Sequence, residues 1–407
     1  MASSKTMSNS GAEAGAAGRA AFLELADAAV EEGRIRVTWP GGETTVGRGT
    51  GPLEELRVHE PAFFTRVLAH GNLGMGEAFM DGWFDVPDGR LPDLLTRLLR
   101  SRLDQAVSRH PVLALRILGL GIGNRLRGSW KNVRAHYDLG DDLFESFLDP
   151  TLTYSCGYAT SEGDDLAALQ RQKLDRICEK LQLSEGERLL DIGCGFGGLL
   201  MHAARERGVT GVGISVSERH AAKARERIEA AGLAGRLEIR LADHRSIEGT
   251  FDKVVSVGMM EHLRPRELPG FVRRVAGALR PDGLALLHYI GCGRSRNEHD
   301  PFTQRYVFPG SDQPRLSAVT RELERNDLAI LDVENLIRHY ALTARRWLEA
   351  FRANAHRLPE AKYDARFRRM WEYYLSSGVA ASLASDGALY QVLAARDFGG
   401  RRPLGRV

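Results

Sequence analysis

The segment "ERLLDIGCGFGGLL" (residues 187–200) limits the fold more than any other part of this chain. An apolar run passes through Asp191 into glycines at 193, 195, 197 and 198, and then returns to apolar residues. That order reads as a strand, a turn whose backbone a ligand can approach closely, and the opening of a helix. The alternation continues downstream. "LLMHAARERG" has helical spacing, "VTGVGIS" is a strand, and "ERHAAKARERIEAAG" is a charged helix. "LEIRLAD", "FDKVVSVGM" and "GLALLHYI" are further strands, with a helix at about 266–279 before the last. Strands that alternate with helices imply a doubly wound, mainly parallel sheet of the Rossmann-like α/β class. The last 65 residues return to amphipathic helical spacing, with Pro359 between two long stretches.

The glycines alone do not choose the ligand. Gly193, Gly195 and Gly198 satisfy G-x-G-x-x-G, and a nicotinamide enzyme would pass the same test. A dinucleotide site wants Asp or Glu for the ribose at the end of the second strand. Here that strand ends "GISVSERH", with Ser215 at the turn and Glu218 three residues on. Asp191 ahead of the glycines gives instead the "hDhGCGxG" form typical of S-adenosylmethionine (SAM) sites. "LADHRS" (241–246) after the third strand supplies Asp243, placed to accept from an adenine amino group; taken alone, an Asp there is a helix cap.

Length and composition bound the rest. A chain of 407 residues, 43% hydrophobic, can build one large core and a smaller second domain. Lys and Arg total 56 against 53 for Asp and Glu, so global charge points to no nucleic-acid partner. The basic residues are unevenly spread. Nine lie between Arg97 and Arg134 with a single acid, Asp104, around the apolar run "PVLALRILGLGIG". Such a segment suits an anionic membrane surface, the alternative being a solvated helix and linker. No run reaches the roughly 20 apolar residues of a membrane span. "MASSKTMSNSGAEAGAAGRAA" lacks a signal core and reads as a disordered leader over 1–20. Cys156, Cys178, Cys194 and Cys292 form no CxxC pair, so neither a disulfide framework nor a metal site is expected. These features suggest a cytoplasmic protein, peripheral on the inner face of the cell membrane. Residues 21–125 read as a small α+β domain suited to a membrane surface, with a β-hairpin in "GRIRVTWPGGETTVG" and helices around 60–70 and 91–107. Residues 126–407 read as the catalytic domain with helical C-terminal additions. Oligomeric state is left open, a homodimer among the options.

A set of longer motifs sharpens this. "NVRAHYDLGDDLFESFLDPTLTYSCGY", "LLDIGCGFGG", "MMEHL", "LHYIG" and "DPFTQRYVFPG", in this order, resemble the cyclopropane-fatty-acid synthase family, which includes the mycolic acid cyclopropane synthases. The likeness runs from about Asn132 to Tyr374. "GEAFMDGWFD" (77–86) resembles the N-terminal domain of the phospholipid-acting members, absent from the mycolate enzymes. The resemblance implies transfer of the SAM methyl group to the cis double bond of unsaturated phospholipid acyl chains, with a bound bicarbonate as base. Around bicarbonate it implies backbone N–H groups from Cys156 and Ile290, an acceptor in Glu261, and donors in His288 and Tyr340. Around SAM it implies Tyr154 and Ser155, Gly193 and Gly195, Ser215 and Val216, His220 and Asp243, with His136 closing over the methionine end. No metal is implied.

These residue types fit the chemistry. An alkene is a feeble nucleophile and must be aligned with the methyl group in a dry site. Attack leaves a carbocation, which an aromatic face such as Tyr340 stabilises without quenching. Loss of a proton from the delivered methyl then closes the ring. Cys156 as a covalent nucleophile is rejected, because the sulfonium of SAM is already an excellent electrophile. Taken singly, Cys156 is a small buried hydrophobe, Glu261 a cap and His288 a satisfied core histidine; their joint match favours the functional reading. His220 stands where the family often has Gln, and "GVAASLA" (378–384) replaces its usual "CxxxFR". A hydride shift on the same cation would give a methylene branch instead. A non-catalytic lipid-binding protein and a small-molecule methyltransferase are the rival classes.

Overall fold

The computed structural model describes residues 3–103, 139–292, 300–384 and 387–396, with side chains from residue 15 onward. His136, Asp104 and the basic residues from Arg109 to Arg134 lie outside the described residues. The chain divides into two compact units. The front unit joins the residues up to 138 with Asp300–Pro309 and Ala355–Ala384; the rest of the chain forms the second. The contiguous boundary expected near residue 125 is therefore crossed by two later segments.

The front unit opens with α1 (Ser3–Ala29), which runs through most of the segment expected to be a disordered leader. Its alanine-rich sequence has high helix propensity. Strands β1 (Arg34–Trp39) and β2 (Gly42–Val46) form the anticipated hairpin, with Ile35 opposite Val46. β3 (Leu53–Val58) pairs parallel to β1. Helix α2 (Ala62–Met80) is longer than its sequence suggested, because the chain kinks at Gly71 (φ 54°, ψ −130°) and continues helically through "NLGMGEAFM". β4 (Phe84–Asp85) completes a sheet of order β2-β1-β3-β4, and α3 spans Leu91–Arg100. Arg97 and Arg90 donate to the buried Glu54 at 3.1 and 2.9 Å. The first arginine of the basic run is thus engaged inside this unit.

The second unit begins with α4 (Asp141–Phe147) and α5 (Leu166–Lys180). It then alternates through β5 (Arg188–Ile192), α6 (Gly198–Arg207), β6 (Thr210–Ser215), α7 (Glu218–Ala230) and β7 (Leu237–Leu241). β8 (Phe251–Val257), α8 (Leu268–Ala278) and β9 (Leu279–Cys292) follow. The short α9 (Pro301–Tyr306) belongs to the front unit, where Tyr306 donates to Glu77 at 2.9 Å. After it come α10 (Leu316–Arg325), β10 (Ala329–Asn335) and α11 (Ile337–Asn354). Helix α12 (Ala365–Leu383) returns to the front unit. There Arg366 and Arg369 pair with Asp81 and Asp85 of "MDGWFD" at 3.0 and 2.9 Å. β11 (Gly387–Ala395) closes the sheet.

The seven strands run in the order β10-β11-β9-β8-β5-β6-β7. From β9 to β7 neighbouring strands are parallel, and β11 and β10 are antiparallel additions. Helices cover both faces. Leu174, Ile177, Leu200, Ala204 and Ala221 fill one side, and Phe271, Val272, Val275, Val319 and Leu323 the other. The α/β class holds as expected. The last 65 residues nevertheless include a strand: "GALYQVLAA" is buried almost throughout, so it lacks the alternation that separates strand from helix. Among the described residues no helix is long and apolar enough to cross a membrane.

Lys180 holds the sheet edge. Its buried ammonium lies 2.6 Å from Glu334 and 3.1 Å from Asp332, both on β10. Lys180→Ala removes this buried cation from between the two carboxylates, and we expect a loss of roughly 3 kcal/mol in urea unfolding. A loss below about 1 kcal/mol would show that β10 does not depend on this pair.

Candidate active site

In a parallel sheet every strand ends along the same edge, and ligands bind beyond those carboxyl ends. The turn after β5 sits at the switch point, since β6 lies on one side of β5 and β8 on the other. Gly193 (φ 85°) and Gly195 (φ 52°) adopt left-handed backbone. The Gly193 and Cys194 N–H groups both donate to the Ile214 carbonyl, at 2.9 and 3.1 Å. A Cβ at Gly193 would lie 2.9 Å from Met259 Cβ, whereas one at Gly195 would meet nothing within 4 Å. The two glycines therefore differ in role: Gly193 allows the turn to close, and Gly195 leaves its rim bare.

The other residues expected at SAM gather around this turn. Ser215 ends β6, and the next residue, Val216, is 75% exposed, an unusual state for a valine at a strand end. His220 lies 4.5 Å from the Phe196 ring of the glycine turn. Burial and the nearby Arg219 hold its pKa below the usual histidine range. Asp243 caps the turn that follows β7 and pairs with Arg245, its Oδ1 taking the Arg245 N–H at 2.8 Å and Nε at 2.7 Å. Its carboxylate is thus already engaged by its own turn. Tyr154 packs in an aromatic group with Phe144, Phe147 and Trp347. The Ser155 hydroxyl accepts from Lys173 Nζ at 3.0 Å, and its carbonyl from Gln170 at 2.8 Å. An open glycine rim, an exposed valine and a terminal carboxylate are groups that suit an adenosyl ligand.

A second set of residues meets beside β9. Cys156, Ile290 and Tyr340 fall in one apolar cluster with Leu336 and Leu389. Cys156 is buried, its Sγ 3.0 Å from the Gly157 carbonyl, and burial pushes the thiol up to about 12. A thiol in that state is a poor nucleophile at neutral pH. Glu261 lies in a short turn after β8, and burial raises its carboxyl to about 7. Its Oε1 accepts the Ile290 N–H at 2.6 Å. The amide expected to face bicarbonate here donates to Glu261, supplying the donor a buried carboxylate requires. His288 shares the strand face of Ile290, two residues away. Burial first, then the charges of Lys173 and Lys180, keep its imidazole well below the usual range and therefore neutral. Glu261 Oε2 and His288 Nε2 are both buried with no hydrogen-bond partner among the described residues. A small oxyanion carrying one O–H, such as bicarbonate, has the chemistry to satisfy an acceptor like Glu261 Oε2 and, with its proton on Nε2, a donor like His288.

Three polar residues here escape a motif-based reading. Gln391 on β11 lies 3.1 Å from His288 Nδ1. Thr343 Oγ1 accepts the Gly157 N–H at 3.0 Å. Lys173 is buried close to Asp149 and Asp191; burial drives its ammonium down to about 8 and the Asp191 carboxyl up to about 7, each partly opposed by the other's charge. For Gln391 the available signal was a lone Gln inside the apolar "GALYQVLAA"; Lys173, in the charged "QRQKLDR", carried none.

The fold and the glycine-turn site define a SAM-dependent methyltransferase. A family model described as "Mycolic acid cyclopropane synthetase" matches residues 124–392, and the chain belongs to that family. It is 37% identical over 350 residues to a cyclopropane-fatty-acyl-phospholipid synthase of Escherichia coli (strain K12), covering 86% of this chain and 89% of that one. It is 33% identical over 380 residues to the tuberculostearic acid methyltransferase UfaA1 of Mycobacterium tuberculosis, covering 88% and 86%. Among solved structures, the cyclopropane synthase MmaA2 from Mycobacterium tuberculosis superposes with a TM-score of 0.61 at 28% identity, over 65% of this chain and 97% of that one. A mycolic acid cyclopropane synthase complexed with SAH and CTAB gives 0.60 at 29% identity, with the same coverage.

The raised pKa of Glu261 carries a stability consequence. The folded state binds this proton more tightly than the unfolded chain, so stability falls as pH rises from the ordinary value of 4.5 through about 7. Glu261→Gln keeps the acceptor for Ile290 and removes the charge. Thermal unfolding at pH 8 should show the variant melting roughly 2–4 °C higher, with the gain gone below pH 4.5. Equal melting at pH 8 would mean that the wild-type carboxylate is not penalised by burial.

Proposed function

We propose that this chain converts cis double bonds in the acyl chains of membrane phospholipids to cyclopropanes, taking the carbon from SAM. The observation that carries this is that Glu261 Oε2 and His288 Nε2 are both buried without a hydrogen-bond partner among the described residues, Glu261 being bonded to the Ile290 amide and His288 lying two residues before it on β9. A methyltransferase acting on an amine or hydroxyl has no need for a second ion site next to SAM. SAM would supply an electrophilic methyl group held by the Gly193–Gly195 rim, Ser215, Val216, His220 and Asp243, with Tyr154 and Ser155 flanking. Bicarbonate would supply a base small enough to lie beside that methyl. Glu261 would accept the ion's O–H, while His288 and Tyr340 would donate to its oxygens. The backbone N–H of Cys156 would contribute a further donor; that of Ile290 is bonded to Glu261 and would act through it. The apolar walls exclude water, which would otherwise capture the carbocation that remains after the double bond attacks. The face of Tyr340 stabilises that cation.

Phospholipid is favoured over a carrier-bound chain by the reach of the similarity. The Escherichia coli relative is named for phospholipid, and its match extends ahead of residue 124, whereas the mycolate structures match 65% of this chain. We assign lipid delivery to the front unit on that ground and on "GEAFMDGWFD". Membrane attachment on the cytoplasmic side would draw on the basic run beyond Arg97. A methylene-branched product shares the cation and the base; the same relative's name favours ring closure.

Glu261→Ala and His288→Ala should each lose most turnover on unsaturated phospholipid vesicles while SAM affinity, measured by calorimetry, changes little. Bicarbonate added back to a depleted wild-type enzyme should stimulate it. A tenfold loss of SAM affinity, about 1.4 kcal/mol, would move both residues into the SAM site. No response to bicarbonate would remove the base from this reading.

A further inference from the structure

We propose that Gln391 is a positioning residue that fixes the imidazole proton of His288 on Nε2, so that this nitrogen faces the base site as a donor. The inference rests on the bicarbonate reading above for its purpose, though not for its geometry. β11 pairs antiparallel with β9 in a register that sets Gln391 directly opposite His288 and Leu389 opposite Ile290. Both polar side chains are buried, Gln391 completely and His288 to within 2%. The amide Nε2 of Gln391 lies 3.1 Å from His288 Nδ1.

A primary amide nitrogen can only donate. With the amide nitrogen toward the ring and Oε1 left without a partner among the described residues, Nδ1 accepts, and a neutral imidazole that accepts at Nδ1 carries its proton on Nε2. That nitrogen is the one left without a partner among the described residues. In the opposite tautomer Nε2 would present a lone pair to an oxyanion and repel it. Burial first, and then the charges of Lys173 and Lys180 on α5, oppose protonation of the ring and disfavour the doubly protonated form that would need no such choice. Gln391 thus decides a question that burial alone leaves open, from a strand that carries none of the residues expected at the site.

The test reads the proton directly. The full-length protein, labelled with 15N in its histidine rings, is examined by long-range 15N–1H correlation, with His288→Ala identifying the His288 signals. We expect the Nε2–H form in wild type, and loss of that single form in Gln391→Leu. Gln391→Leu should also raise the bicarbonate concentration for half-maximal turnover roughly tenfold, equivalent to about 1.4 kcal/mol, with SAM affinity within twofold of wild type. An Nδ1–H form in wild type overturns the proposal without any variant. So does a Gln391→Leu protein that keeps the wild-type tautomer and the wild-type bicarbonate dependence. If wild type shows Nε2–H yet ignores bicarbonate, the base reading fails and the role of Gln391 on His288 stands.

Discussion

Five parallel strands that finish along one edge impose the main constraint on this molecule. The segments that leave β5, β6, β7 and β8, together with the last residues of β9, must all meet there. The edge collects Gly193, Ser215, Asp243, Glu261 and Ile290 from stretches of sequence a hundred residues apart. No one of these residues needs unusual local chemistry to arrive. The hydrogen bond from the Ile290 N–H to Glu261 is a result of this convergence, joining the exit of β8 to the end of β9. It also holds a carboxyl group in a place where burial raises its pKa, which stability alone would not favour.

The groups around the glycine turn and those beside β9 differ in physical character. Around the glycine turn the groups are open: a bare Gly195 rim, an exposed Val216 and a carboxylate with solvent access. Beside β9 they are closed, with a protonated thiol, a neutral imidazole and a carboxyl group near its midpoint at neutral pH. A sulfonium ligand is tolerant of water, and a carbocation is not. On the proposed function, the difference in exposure matches a sulfonium on one side and a carbocation on the other.

Much of this was legible in the sequence, for identifiable reasons. The glycine turn follows from residues 187–200, because a strand, glycines and a helix must follow one another in the chain. Glu261, His288 and Ile290 were found through motifs, and their convergence needed only the order of the parallel strands. β11 was not legible, since a strand buried on both faces has no period to reveal it. Gln391 was hidden with it, its importance depending on a register that pairs residues 103 positions apart. Helix α12 was read as part of the catalytic half, but the arginines that tie it to Asp81 and Asp85 act across nearly 300 positions. The Ile290 amide was placed at the right edge, while its bond to Glu261 depended on a burial that sequence does not display.

The measurement that bears most directly on the chemistry is the fate of the transferred carbon. Full-length protein is incubated with 13C-methyl-labelled SAM and vesicles of phospholipid with cis-unsaturated acyl chains, and the extracted lipid is examined by NMR. Label in a ring CH2, coupled to two ring CH carbons of the acyl chain, is the predicted result. Label in an exocyclic methylene or a methyl branch would contradict ring closure. Label absent from the phospholipid, with SAM still bound, would contradict the assignment of an acyl double bond as the methyl acceptor.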